Sequence, residues 1–186
     1  MKRLFENMLP VESAAALFWF VGGTDWQRVI HNFKYRGRWF FARKMGEWLG
    51  EELRDSGNFD DVDLIIPIPL HYRRRLARGY NQSEQLALGV GRKMEVECDF
   101  GAVRRKVYNE SQTHKSRRER WDNVEEIFEV RKAQRLRGRH IMLVDDVMTT
   151  GATIISCAES IYRACDGDVR ISVATLAVSR RVVGEL

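Results

Sequence analysis

Ile141-Met-Leu-Val144-Asp-Asp-Val-Met-Thr-Thr-Gly-Ala-Thr153 is the stretch that decides the fold. Its first four residues are apolar with no polar alternation. That is the mark of a strand covered on both faces, as in a parallel sheet packed between helices. Asp145 to Thr153 reads as the loop after this strand, and Ile154 to Arg163 as the helix that follows. Val169 to Val178 reads as a final strand. Upstream, Val62 to Ile68 is a second β-branched run, and Pro67 and Pro69 make its end irregular. His71 to Tyr80 reads as a basic loop. Asn81-Gln-Ser-Glu84 has the form of a capping box opening a helix through Met94. Ala102 to Val107 and Ile127 to Val130 read as short strands, and Ser116 with Glu119 as the cap of a short helix between them. Strands and helices alternate from residue 62 onward, so the class is α/β with a parallel sheet.

Nearer the N-terminus, Ala14 to Val21 reads as a strand or a short helix. Asp25 looks like a helix cap before Trp26, Val29, Ile30 and Phe33. Phe40 to Leu53 predicts a helix with Phe41, Met45, Trp48, Leu49 and Leu53 on one face, closed by Ser56-Gly57-Asn58. The aromatic stripes Trp26/Phe33 and Phe41/Trp48 are assigned to the core.

At 186 residues and 44% hydrophobic, the chain can bury a core of its own and is too short for two full domains. Nineteen aromatic residues exclude disorder, and 14 Gly with 3 Pro exclude a collagen-like or low-complexity chain. No segment reaches the roughly eighteen unbroken apolar residues of a membrane span. Val11 to Gly23, interrupted by Glu12, reads as folded protein rather than a signal peptide. Cys98, Cys157 and Cys165 form no C-x-x-C pair, which points to reduced core thiols in a cytoplasmic protein and to neither a disulfide framework nor a zinc site.

An open parallel sheet binds ligands at the carboxyl ends of its strands, where Asp145 and Asp146 stand. The free N–H groups at the start of the next helix favour an anion. Thr149, Thr150 and Thr153 add hydroxyls there, and Gly151 lets the backbone approach closely. Two carboxylates beside such a nest suit a ligand that is anionic at one end and hydroxylated or metal-bound at the other. A sugar phosphate has those two ends.

Charge points the same way. Residues 71 to 80 carry +4 through Arg73, Arg74, Arg75 and Arg78, and residues 104 to 120 carry +5, against +5 for the whole chain. The remainder is therefore net acidic, and two concentrated basic segments fit a strongly anionic partner. A third basic run, Arg131 to Arg139, shows that charge alone does not identify a site. His31, His71, His114 and His140 have no metal or triad spacing, and only His71 stands in a site-like position.

The segment Val144 to Thr153 resembles the fingerprint by which type I phosphoribosyltransferases hold phosphoribosyl pyrophosphate (PRPP). The resemblance extends to the competence-protein-F (ComF) branch through Pro67-Ile-Pro-Leu-His71 and Arg78-Gly-Tyr-Asn-Gln82. Arg105, Gln112, Arg120, Asn123-Val124 and Phe128 continue it, as does His31-Asn-Phe-Lys-Tyr-Arg-Gly37. It runs from about residue 14 to 178. Two departures stand out: the C-x-x-C zinc ribbon of many relatives is not in this sequence, and Asn109 stands where the family often has Thr.

The resemblance implies a type I phosphoribosyltransferase-like α/β fold, a mostly parallel sheet with helices on both faces. Residues 1–60 would form a small N-terminal hood or extension packed on the core, and 61–186 the core itself. It implies ribose binding by Asp145 and Asp146. Val147, Met148, Thr149, Thr150, Gly151, Ala152 and Thr153 would hold the 5′-phosphate, and Leu70, His71, Arg73, Arg74 and Arg78 the pyrophosphate. The catalytic cations would be Arg105, Lys106, Lys115 and Arg117. Mg²⁺ would bind mainly through PRPP, with the protein's own metal ligands unassigned and no zinc. The reaction would be transfer of the 5-phosphoribosyl group to a nitrogen nucleophile with release of pyrophosphate.

The partners would be PRPP and a small-molecule acceptor, with no membrane, nucleic acid as the weaker alternative, and a homodimer left open. The competing reading is a non-catalytic sensor of PRPP or a nucleotide, or a DNA-uptake accessory, on the same fold. A phosphoacceptor receiver also places an acidic pair after a strand. Its pair lies near the N-terminus with several strands after it, whereas here about one follows residue 153.

Overall fold

The computed structural model describes residues 5, 9–20, 39–106 and 127–179. The expected helix after Asp25, the segment 31–37 and everything from 107 to 126 lie outside the described residues.

The strand that anchors the fold, β5 (His140–Met148), has Ile141 to Val144 wholly inaccessible to solvent. It is flanked by β2 (Leu64–Pro67) and β6 (Arg170–Ser179), and β1 (Ala14–Phe20) lies outside β6. All three pairings are parallel, in the order β1-β6-β5-β2. Residues 14 to 20 therefore form a strand. On the N-terminal side of residue 60, this strand and the helix at 39–55 are parts of the common sheet and core.

Alternate residues of each strand point to opposite faces, which divides the core in two. One face gathers Leu64, Ile66, Ile141, Leu143 and Val173 under Ile154, Cys157 and Ile161 of α5 (Ala152–Ala164). The other gathers Ile65, Met142, Val144 and Leu176 under α1 (Trp39–Asp55) and α3 (Gln82–Met94). Helices thus cover both faces, as the apolar run of β5 requires. Each such side chain contributes roughly 1.5–3 kcal/mol on burial, and truncating one, such as Leu143→Ala, costs about 2–5 kcal/mol. A separate antiparallel pair joins β3 (Val103–Arg105) to β4 (Phe128–Val130), followed by one turn of helix, α4 (Ala133–Leu136).

Three expectations are corrected. First, His71 to Tyr80 is not a loop: it contains α2 (Tyr72–Arg78), capped by His71 and closed by Gly79 at φ 84°. None of its residues is buried, so it has no apolar periodicity to betray it. Second, β5 continues through the acidic pair to Met148, because its ladder with β6 runs on to Asp145↔Thr175 and Met148↔Val178. Third, the aromatic face assigned to α1 is not its core face. Phe41 and Trp48 are exposed, whereas Ala42, Met45, Gly46, Leu49, Gly50 and Leu53 are buried.

The reason is the closeness of α1 and α3. A Cβ on Gly46 would stand 2.2 Å from the Leu86 carbonyl oxygen, and one on Gly89 2.2 Å from that of Arg43. A seam that tight has no room for Phe or Trp. Trp48 instead meets the ring of Phe18 edge-on at 5.2 Å and donates to Glu52.

The third basic run is structural. Lys132 and Arg135 both bind the buried Asp99 carboxylate at 3.0–3.1 Å, Arg135 also reaches Glu97, and Arg137 pairs with Asp166. His140 is buried, with Nδ1 2.9 Å from Asp61 Oδ1 and Nε2 2.8 Å from Ser172 Oγ. These are the residue types of a hydrolytic triad. Ser172, however, is fully buried and accepts the Ser13 N–H, at the strand ends opposite Asp145 and Asp146. The cluster ties the starts of β1, β5 and β6 together.

Candidate functional site

The C-terminal end of β5 delivers Asp145 and Asp146 to the sheet edge, both partly exposed. Oδ1 of Asp145 accepts from Ser83 Oγ at 2.8 Å and from the Asp146 N–H at 2.9 Å, and Asp146 Oδ1 accepts from the Val147 N–H. Both carboxylates are therefore held by protein donors at the end of the central strand. Ser83 is itself fixed. It lies in the first turn of α3, where Asn81 caps the helix by accepting from the Ser83 N–H and donates to the Ile68 carbonyl at the end of β2.

Past Met148 the chain turns through Thr149 and Thr150 into α5, with Gly151 as its N-cap at φ 78°. That φ lies where L side chains are strained, so glycine is the natural residue there. Thr149 and Thr150 are exposed, and Thr150 Oγ1 sits 3.4 Å from the Ala152 nitrogen. A shallow, open cradle runs from Asp145 through Val147, Met148, Thr149, Thr150, Gly151, Ala152 and Thr153 to Ile154. It combines a helix N-terminus, hydroxyls and a carboxylate within one concavity. A larger cavity of about 400 Å³ lies between β1 and the C-terminal half of α1, and it includes none of the residues expected to hold ligand.

The basic residues converge from two elements. On α2, Arg75 pairs with Glu84 at 3.1 Å, and Arg78 donates to Gln82, both acceptors lying in the first turn of α3. Arg73 donates from Nε to the Tyr72 hydroxyl. Arg74 lies within the electrostatic reach of Arg105, at the end of β3. The half-buried Arg105 guanidinium stacks on Phe128, its cross-strand partner, and its Nε is buried with no hydrogen-bond partner among the described residues. Burial, then the charge of Arg74, pulls the Arg105 guanidinium below its ordinary range, while Asp145 opposes the shift. An anion bound beside Arg105 would offset the repulsion from Arg74 and compensate the buried charge.

His71, expected to hold pyrophosphate, is buried, 4% exposed, at the start of α2. Leu70 is half-buried just after β2, and Lys106 is exposed at the root of the 107–126 segment. Lys115 and Arg117 lie outside the described residues, as do Gln112, Arg120, Asn123 and Val124.

Two residues of the site escaped the sequence reading. Ser83 was legible only as part of a capping box, with nothing to show that its hydroxyl reaches Asp145, 62 residues away. Tyr80 was legible only within the Arg78-Gly-Tyr-Asn-Gln82 resemblance, with nothing to show that it lies within reach of Asp146. Burial pushes its phenol up, with Arg78 opposing and the charge of Asp146 adding to the rise. Cys157, in α5 beneath the site, is an inert thiol. Burial, reinforced by the charge of Asp145, pushes it far above its ordinary range. Among the described residues, no group of three or more His, Cys, Asp or Glu is placed to hold a metal ion. No described helix is long and apolar enough to cross a membrane.

The family model described as "Phosphoribosyl transferase domain" matches residues 76–182. The "DNA utilization protein YhgH" of Shigella flexneri is 33% identical over 138 residues, 73% of this chain and 60% of that protein. "Competence protein F" of Haemophilus influenzae is 29% identical over 130 residues, 68% of this chain and 57% of that one. The chain thus spans about 60% of the length of these curated relatives. Among solved structures, a glutamine PRPP amidotransferase from B. subtilis complexed with ADP and GMP is 16% identical. It covers 72% of this chain and 26% of its own, with a TM-score of 0.49.

Proposed function

The chain belongs to the phosphoribosyl transferase family, on its competence-protein-F-like branch, and from this we propose that it binds PRPP and transfers the 5-phosphoribosyl group to a nitrogen nucleophile. The observation that carries this is the pairing of Asp145 and Asp146, at the end of β5, with the Gly151-opened N-terminus of α5. Carboxylates there accept hydrogen bonds from the ribose 2′- and 3′-hydroxyls. The backbone N–H groups and threonine hydroxyls receive the 5′-phosphate. The pyrophosphate then extends toward Arg73, Arg74 and Arg105.

In the reaction the bond from ribose C1 to the pyrophosphate oxygen breaks, and its electron pair leaves with pyrophosphate. A nitrogen lone pair forms the new bond to C1, and the proton displaced from nitrogen passes to solvent. No side-chain nucleophile is required. The protein's part is to orient the sugar and to place fixed positive charge where negative charge accumulates on the leaving group. Arg74 on α2 and Arg105 at the end of β3, close enough for their charges to interact, supply that positive charge. Mg²⁺ carried on the pyrophosphate oxygens would supply further neutralisation, a mode that suits an ion which retains its waters and needs few protein ligands.

The names of the relatives favour a second reading, in which the same fold serves DNA uptake or use without catalysis, sensing PRPP or a nucleotide. Two assays separate the readings. A catalyst releases pyrophosphate from PRPP and Mg²⁺ when an amine or nucleobase acceptor is supplied. A DNA-binding accessory binds DNA in the absence of PRPP, with affinity falling steeply as salt rises. Pyrophosphate release that depends on acceptor supports the transferase. Its absence across an acceptor panel, together with salt-dependent DNA binding, supports the accessory role.

A further inference from the structure

We propose that His71 is a positioning residue that ties the arginines of α2 and the cations at the end of β3 into one anion-holding unit. The inference rests on the PRPP reading and deepens it, because it gives the buried His71 ring a role in setting the site's shape.

The geometry begins with the cap of α2. Nδ1 of His71 accepts the Arg73 N–H at 3.3 Å, the bond that caps the helix. The same ring also hydrogen-bonds to the backbone of Lys106. A neutral imidazole has one acceptor nitrogen and one donor. With Nδ1 accepting, the donor to Lys106 is Nε2–H, so a single tautomer satisfies both contacts. One buried ring therefore spans the start of α2 and the last described residue of the β3 arm. Tyr72 covers it at 4.6 Å between ring centroids.

The surroundings keep the ring neutral. Burial pushes its pKa down, and Arg73 and Arg74 from α2 and Arg105 from β3 push it further, against the Lys106 hydrogen bond. A protonated ring would lose the Nδ1 acceptor and add another positive charge to three arginines. A neutral ring holds the two arms together without that repulsion. The separation of the arms matters because an anion held by both Arg74 and Arg105 needs both guanidiniums within bonding distance at once.

His71→Asn is the informative variant. Asn is a good N-cap, and Asn81 already serves that role for α3, so the variant keeps the cap of α2. Its short side chain loses the tie to Lys106. Binding is measured by calorimetry with PRPP and with ribose 5-phosphate, both with Mg²⁺. The expected result is a loss of about tenfold for PRPP with ribose 5-phosphate affinity unchanged, because only PRPP carries the pyrophosphate. Equal PRPP affinity in variant and wild type overturns the proposal, as does an equal loss on both ligands. Failure of the wild type itself to bind PRPP sinks the underlying functional reading instead, so the two failures are distinguishable. A second measurement needs no variant: the titration of the His71 ring is followed by NMR in the wild-type protein. PRPP should raise the pH at which the ring protonates, by cancelling the arginine field, whereas ribose 5-phosphate should not. An unmoved titration on saturation with PRPP overturns the proposal.

Discussion

Ser83 Oγ donates to Asp145 Oδ1 at 2.8 Å, joining the first turn of α3 to the end of the central strand. Because the Asp146 N–H binds the same oxygen, the carboxylate is held in one orientation with its donors supplied by the protein. A ribose hydroxyl bound there would meet a preformed acceptor. Ser83→Ala removes one restraint and leaves that of the Asp146 N–H. PRPP affinity should fall roughly fivefold to tenfold, about 1–1.4 kcal/mol, with little change in melting temperature. Calorimetry beside a thermal melt checks this, and unchanged affinity would remove Ser83 from the site.

Arg105 gives a prediction in which binding and stability separate. Its guanidinium is half-buried beside Arg74, and its Nε has no partner among the described residues, so it costs stability in the free protein. Arg105→Gln should weaken PRPP binding roughly tenfold to hundredfold while leaving ribose 5-phosphate binding intact. The melting temperature of the unliganded protein should hold or rise. A fall in both would make Arg105 a structural residue.

The seam between α1 and α3 predicts a steep stability loss. Gly89→Ala would place a methyl 2.2 Å from the Arg43 carbonyl oxygen and 2.6 Å from the Glu47 nitrogen, both backbone atoms that cannot swing aside. The helices would have to separate, at a cost of about 3 kcal/mol or more. Gly46→Ala should do the same against Leu86. Urea unfolding of either variant measures it, and a change below about 0.5 kcal/mol would mean that the helices do not pack this closely.

Asp99 predicts an acid limb. Burial pushes its carboxyl up, but the Gly101 N–H, Lys132 and Arg135 outweigh burial and hold it below its ordinary value. A carboxyl whose pKa is depressed by folding contributes stability that is present above the unfolded value, about 3.9, and is lost as pH falls through the folded one. Asp99→Asn should therefore be less stable than wild type at pH 7, and the gap should close on acidification toward pH 3. A gap that persists unchanged at low pH would rule out the ion pairs as its source.

What the sequence revealed follows from where the physics is local. Ile141 to Val144 showed a strand buried on both faces because burial on two sides forbids polar alternation. The acidic pair and the Thr-Thr-Gly turn were visible because the chemistry of a β–turn–α junction is contiguous in the chain. The N-cap of α3 was visible for the same reason. Hidden were relationships that depend on approach between distant segments. Phe41 and Trp48 fit the helical period for a core face, yet Gly46 and Gly50 set that face by letting α3 come close. Arg73, Arg74 and Arg75 suggested a loop because α2 buries nothing. The run from Arg131 to Arg139 looked like the other basic segments until Asp99, Glu97 and Asp166 were found beside it. The contacts of Ser83 and His71 cross 62 and 35 residues of chain, and no spacing rule encodes them.

The central claim is that Asp145 and Asp146 hold the ribose of PRPP, and titration calorimetry of PRPP with Mg²⁺ tests it most directly. Wild type is compared with the Asp145→Asn/Asp146→Asn double variant, which keeps size and shape while removing both negative charges. The wild-type protein should bind, and the double variant should lose about a hundredfold or more, in line with the loss of two charge-assisted contacts. Binding undiminished in the double variant, with its fold intact by circular dichroism, would contradict the assignment.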